Sequence, residues 1–264
     1  MGRCEDGRPE LRGTDQSVLL RRNRQVVSQR SAAMIELLGM GSPNVIKVIL
    51  MLEEIGLAYR VRRIDVVAGE QYGEPFRRLN PNGKVPVLID TDGPAGPITI
   101  FESGAILIYL AEKADRFLPL DSPARFAAMQ WVIWQMAGLG PISGQAIHFS
   151  AVNRTDSYGR QRFAAEKDRL LDVLDARLAE SKFVAGGEYS IADMAIFPWI
   201  RTLKRFFPEE SVRCHVARWF DNIAHRPAWL RAKVVADGLS DQDRKAFKAA
   251  TPEELDRYFG REQV

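Results

Sequence analysis

Cysteine is scarce: the 264 residues contain two, Cys4 and Cys214. They form no CxxC and no metal-ligand spacing, so neither a dithiol redox centre nor a metal site is expected. Any thiol chemistry needs a borrowed thiol. Long apolar runs are missing too; none approaches the roughly 20 residues that cross a bilayer, so no membrane partner is expected. The opening residues carry Arg3, Glu5, Asp6 and Arg8 where a secretory signal has an apolar stretch, and the expected location is the cytoplasm. There is also no large charge imbalance. The net charge of +3 equals the excess of seven arginines over four acidic residues within residues 1–33. The rest of the chain is balanced; an arginine-bearing tail could touch nucleic acid or acidic lipid, but tails of this kind are usually solvated or packed on their own protein, and no nucleic-acid partner is expected.

What is present suits a soluble protein with a real core: 46% hydrophobic and 27% charged residues. Residues 1–33 lack apolar periodicity and read as an extension. Met34 to Leu38 suits a buried strand, and Gly39 to Asn44 breaks the pattern. From Val45 a dense helical pattern runs to Gly56, with Ser42 as N-cap and Pro43 at the first helical position. Tyr59 to Val66 is predicted as a second strand, Val85 to Asp90 as a third and Ile98 to Phe101 as a fourth. A helix follows from Glu102-Ser103 to about Lys113. The order βαβ then ββα is a thioredoxin-like layout, an α/β domain over residues 34–116.

Leu118 to Pro123 reads as a linker, and no strand signal follows it. Helices are expected over Ala124 to about Met136, Arg160 to Glu180, from Ser190 with Asp193 as capping partner, and around Trp219 to Ile223. Residues 124–230 thus form an all-α domain. Residues 231–264 are mostly polar and read as a C-terminal extension.

Three places carry chemistry. The turn Gly41-Ser42-Pro43-Asn44 lies between the first strand and first helix. A helix N-terminus presents free N–H groups and a partial positive charge, which stabilise a thiolate. Ser42 and Asn44 can each donate a hydrogen bond to that sulfur; the plainer reading is that Ser42 caps and Asn44 turns. Lys84-Val85-Pro86 is second. A cis Val85–Pro86 bond would free the Val85 N–H and C=O to pair with a peptide; an ordinary edge proline is the alternative. Glu102-Ser103 is third. Ser103 and adjacent N–H groups can hold a carboxylate and Glu102 an α-ammonium, unless the pair is a simple helix cap. His148, His215 and His225 read as structural or surface residues. Glu53-Glu54 reads as a solvated pair.

In order, GSPN at 41–44, NPNGKVPVLID at 80–90, FESGAILIYLAEK at 101–113, WVIWQMAGLGP at 131–141 and KFVAGGEYSIADMAIFPW at 182–199 resemble the glutathione transferase superfamily. They are most like its bacterial nu class of disulfide-bond reductases. The resemblance covers about residues 34–230. It implies that Ser42 and Asn44 face the sulfur of bound glutathione and that Gln71, Lys84, Val85 and Pro86 contact the peptide. Glu102 and Ser103 would grip the γ-glutamyl end, with Arg162 and nearby Tyr158 reaching over from the helical domain. The family turn continues with glycine and a polar residue; Val45-Ile46 stand here, and bulk at Val45 is expected to narrow room for a second glutathione. No tyrosine lies at the turn.

The resemblance implies glutathione as bound co-substrate, no metal, and a homodimer. The expected partners are glutathione, glutathione disulfide and a small disulfide or electrophile. The expected activity is reduction of disulfides by bound glutathione thiolate. Conjugation of glutathione to electrophiles, or glutathione binding without turnover, are the alternatives.

Overall fold

The structure, a computed structural model, describes residues 35–152, 155–208 and 213–261. The arginine-bearing segment 1–33 and the expected strand start at Met34 lie outside them. Strand β1 (Ile35–Gly39) leads into helix α1 (Pro43–Ile55) and strand β2 (Tyr59–Arg63). A 3-10 turn at Glu70–Tyr72 and the four-residue helix α2 (Glu74–Arg77) come next. Strands β3 (Val87–Asp90) and β4 (Ile98–Phe101) and helix α3 (Ser103–Ala114) complete the first part. The sheet order is β2-β1-β3-β4. β1 runs parallel to β2, with Leu37 opposite Val61, and antiparallel to β3, with Leu37 opposite Leu88. This is the thioredoxin-like arrangement expected from the element order. β2 ends at Arg63, short of Val66, because Asp65 turns the chain by accepting the N–H groups of Val67 and Ala68.

α1 is buried from Val45 to Leu52. A helix apolar on all sides must be covered on all sides. The sheet takes one face, and α3 and two helices from later in the chain take the others. It stops at Gly56, whose left-handed φ of 73° closes the helix.

The remainder is helical: α4 (Ser122–Trp134), α5 (Gly140–Ile147), α6 (Ser157–Glu180), α7 (Ile191–Phe206), α8 (Cys214–Ala224), α9 (Pro227–Ala249) and α10 (Pro252–Tyr258). π-helical turns at Gln135–Leu139 and His148–Val152 flank α5. α7 starts with the expected capping box between Ser190 and Asp193. Asp193 also accepts the Val184 N–H at 2.9 Å and the Trp219 indole N–H at 2.7 Å. No helix among the described residues is long and apolar enough to cross a membrane.

The segment read from its polarity as an extension from residue 231 lies largely within α9. Ala228, Trp229, Ala232, Ala236, Leu239 and Asp243 are buried at helical spacing. Small alanines leave little hydrophobic signal in the sequence, yet they let α9 approach α1 closely.

Candidate functional site

The site is built around the turn after β1. A Cβ at Gly39 would lie 2.6 Å from Val45 Cγ1, so Val45 points under the strand and is fully buried. Its bulk therefore fills the core and takes no room from a ligand, contrary to the expectation. A Cβ at Gly41 would lie 2.7 Å from Ser240 Oγ and 2.9 Å from the Ser240 backbone on α9. With no side chain in the way, Gly41 donates its N–H to Asp243 Oδ2 at 2.6 Å. Asp243 Oδ1 accepts from Arg63 Nε at 2.9 Å. The turn is thus clamped by a helix 200 residues away in sequence.

Ser42 holds the N-cap position with extended backbone, but its side chain makes no cap hydrogen bond. Its Oγ is buried and without a protein partner. Such a hydroxyl costs about 1–3 kcal/mol unless something bonds it. Asn44 Oδ1 accepts the Trp199 indole N–H at 3.1 Å. An indole nitrogen only donates, so this bond fixes the amide and leaves its NH2 group as the free end.

Behind the turn lies a buried ionisable group that the sequence reading missed. Lys47 is fully buried and donates to Gln135 Oε1 at 2.6 Å and toward Met136 Sδ at 3.8 Å. Burial pushes its pKa well down, opposed by the nearby carboxylate of Glu102. Ser103 Oγ donates to the same Met136 sulfur at 3.6 Å. The lysine on α1 and the N-terminus of α3 therefore share one small polar cluster. The available signal was a lysine inside the run VIKVILML, three residues after Asn44. Gln135 sits at the start of the first π-helical turn, where the altered register faces it inward.

Glu102 precedes α3 with φ 68° and ψ 112° and is exposed. A non-glycine residue there is strained, and such strain concentrates where ligands are held. The Val85–Pro86 bond is cis. β3 starts only at Val87, so the sheet ladder leaves the Val85 N–H and C=O unused. Asn80 Nδ2 donates to Lys84 O at 2.6 Å and shapes that loop; the Lys84 side chain is exposed. Gln71 is buried, donates from Nε2 to Val66 O at 3.2 Å, and keeps a buried, unpartnered Oε1. Tyr158 and Arg162 stand exposed in the first turns of α6.

Beside Ser42 opens a cavity of about 430 Å³. Gly41, Ser42 and Pro43 form one side, and α7, the second π-helical turn, α9 and α10 form the rest. Tyr158 and Arg162 do not line it. His148 contacts Phe259 of its wall, with ring centroids 6.3 Å apart. Glu53 and Glu54 are not a solvated pair. Arg226 grips Glu54 with two hydrogen bonds, at 2.5 and 2.9 Å, and Arg231 meets Glu53 at 2.7 Å. Both ion pairs tie α1 to the helical part. Asp175, Cys214 and His215 converge, but Asp175 Oδ1 accepts the N–H groups of His215 and Val216, which is a helix cap.

Comparisons agree with this architecture. The family model for the glutathione S-transferase N-terminal domain matches residues 41–113, and that for the C-terminal domain matches residues 144–227. The disulfide-bond oxidoreductase YfcG of Escherichia coli is 41% identical over 212 residues, covering 79% of this chain and 98% of that protein. A second oxidoreductase of that organism, YghU, is 41% identical over 219 residues, covering 76% and 74%. A glutathione transferase family member from Pseudomonas fluorescens, solved with two glutathiones bound, superposes with a TM-score of 0.72 at 38% identity, covering 78% and 96%. One from Pseudomonas putida, solved with one glutathione disulfide per subunit, gives 0.71 at 38%, covering 75% and 90%. The chain belongs to the glutathione S-transferase family.

Proposed function

We propose that the protein is a glutathione-dependent disulfide reductase in which glutathione supplies every reacting thiol. The observation that carries this reading is the Ser42 hydroxyl, buried and unpartnered, in a residue that lines a cavity at the N-terminus of α1. It is a donor waiting for an acceptor. The Asn44 amide, oriented by Trp199, supplies a second donor, and the helix end favours negative charge. Together they suit a thiolate. Val85 pairs with the cysteinyl backbone, Gln71 and Lys84 flank it, and Glu102 and Ser103 take the γ-glutamyl end. Arg162 and Tyr158 approach from α6.

In the reaction, the glutathione thiolate attacks one sulfur of a disulfide. The S–S bond breaks, a mixed disulfide forms and one thiolate leaves. A second glutathione thiolate attacks the glutathione sulfur of that mixed disulfide and releases the other thiolate. Two glutathiones lose two electrons and become glutathione disulfide; the substrate gains those electrons, and its two thiolates take up the two protons. The scheme uses no protein cysteine; Cys214 is exposed at the start of α8.

The test is a parallel steady-state assay with hydroxyethyl disulfide and with a chlorodinitrobenzene-type electrophile. Turnover of the disulfide and little of the electrophile is expected. Ser42→Ala and Asn44→Ala should each cut disulfide turnover about tenfold to a hundredfold, since a hydrogen bond to a charged atom contributes about 1.5–3 kcal/mol. Turnover confined to the electrophile would assign the protein to conjugation instead.

A further inference from the structure

We propose that the cavity beside Ser42 selects, as the disulfide to be reduced, one with an aromatic body that carries an anionic group. This rests on the reductase reading above and names its substrate class.

The lining carries the inference. Phe206 of α7, Phe247 of α9, Tyr258 of α10 and the adjoining Phe259 form an aromatic wall. Phe247 and Tyr258 meet edge to face at 4.8 Å, and Tyr258 and Phe259 at 5.0 Å. Flat apolar ligands stack on such surfaces. Two guanidinium groups stand among the rings, Arg205 and Arg244. The one carboxylate of the lining, Asp243, is already taken by the Gly41 N–H and by Arg63. Arg201 turns away to Asp237, and Arg244 meets the exposed Asp241. Arg205 has no carboxylate partner among the described residues; its guanidinium lies 4.9 Å from the Phe206 ring centroid. Burial and the like charges of Arg201 and Arg244 lower the Arg205 pKa. An anion on the ligand would supply the partner that the described residues do not give Arg205.

Four of these six residues come from α9, α10 and the residue after it, beyond residue 227, where the family-model match ends.

The chemistry balances as before. Attack by glutathione thiolate on a diaryl disulfide forms the glutathione–aryl mixed disulfide and expels one aryl thiolate. A second glutathione thiolate expels the other. Aryl thiolates leave readily because their conjugate acids have low pKa values.

The experiment compares the dicarboxylate of diphenyl disulfide with its dimethyl ester, at saturating glutathione, in the full-length protein. The acid should show kcat/KM about fivefold above the ester, the worth of one partly exposed ion pair. In Arg205→Gln/Arg244→Gln the acid-to-ester ratio of kcat/KM should fall to about one. Binding of both compounds is measured in parallel by calorimetry. Equal handling of acid and ester by the unaltered protein, in rate and in binding, would overturn the proposal even if hydroxyethyl disulfide is reduced. Absence of all disulfide turnover, with tighter arginine-dependent binding of the acid, would overturn the reductase reading and leave the anion-selective aromatic site standing.

Discussion

Asp243 accepts the backbone N–H of Gly41 at 2.6 Å while its other oxygen holds Arg63 at 2.9 Å. One carboxylate from α9 thus joins the turn that carries Ser42 to the end of β2. The bond exists because Gly41 offers no Cβ to the backbone of Ser240. It fixes the turn from outside, leaving the Ser42 side free to face the cavity.

Asp243→Ala should therefore weaken both the fold and the chemistry. It leaves the Gly41 N–H unsatisfied and removes one partner of a largely buried guanidinium. A loss of about 2–3 kcal/mol is expected in denaturant melts. A double-mutant cycle with Arg63→Gln should give a coupling of about 1 kcal/mol or more. Strict additivity would show that the pairing contributes nothing.

The double variant Cys4→Ser/Cys214→Ser should keep full disulfide reductase turnover. Cys214 lies exposed at the start of α8, and Cys4 lies outside the described residues. Loss of turnover in a variant that still melts normally would mean that a protein thiol joins the exchange.

Burial lifts the Asp193 carboxyl to about 6, against the pull of its four hydrogen bonds. Its ordinary value is 3.8. The folded state therefore binds more protons than the unfolded state between about pH 4 and pH 6, and stability falls as pH rises through that window. Asp193→Asn lacks this dependence. The stability advantage of the unaltered protein over Asp193→Asn should shrink between about pH 4 and pH 7, by up to about 3 kcal/mol. Urea melts across that range check it; an advantage that stays constant or grows would show that the hydrogen bonds outweigh the burial.

Phe126 and Ile133 are 63% and 58% exposed, seven residues apart on α4 and so on one face of the helix. Two large apolar side chains left open in this way mark a contact surface. The protein is expected to be a homodimer through this face. Light scattering at micromolar concentration should report twice the chain mass, and Phe126→Glu/Ile133→Glu should report one. A monomeric unaltered protein would refute the dimer.

Much of this was legible in the sequence. The four strands, α1, α3 and the α7 cap each rest on local signals: periodicity, Pro at a helix start, Gly at a helix end, a Ser-x-x-Asp box. What stayed hidden depends on distant partners. The polar composition of residues 231–264 concealed α9, since its buried stripe is largely alanine. Glu53 and Glu54 looked solvated because Arg226 and Arg231 meet them from more than 170 positions away. Lys47 was passed over because a lone lysine in a helix usually reaches for water. Ser42 was read correctly as an N-cap position, yet only the fold shows its hydroxyl making no cap.

The clamp on Gly41 also fixes when the turn can become complete. The chain emerges from the ribosome N-terminus first, and 202 residues separate Gly41 from Asp243. At roughly 5–20 residues per second, β1 and α1 wait about 10–40 s for that carboxylate. The turn that carries Ser42 is written early and set last, so a nascent chain holding a finished sheet is still without its anchored turn.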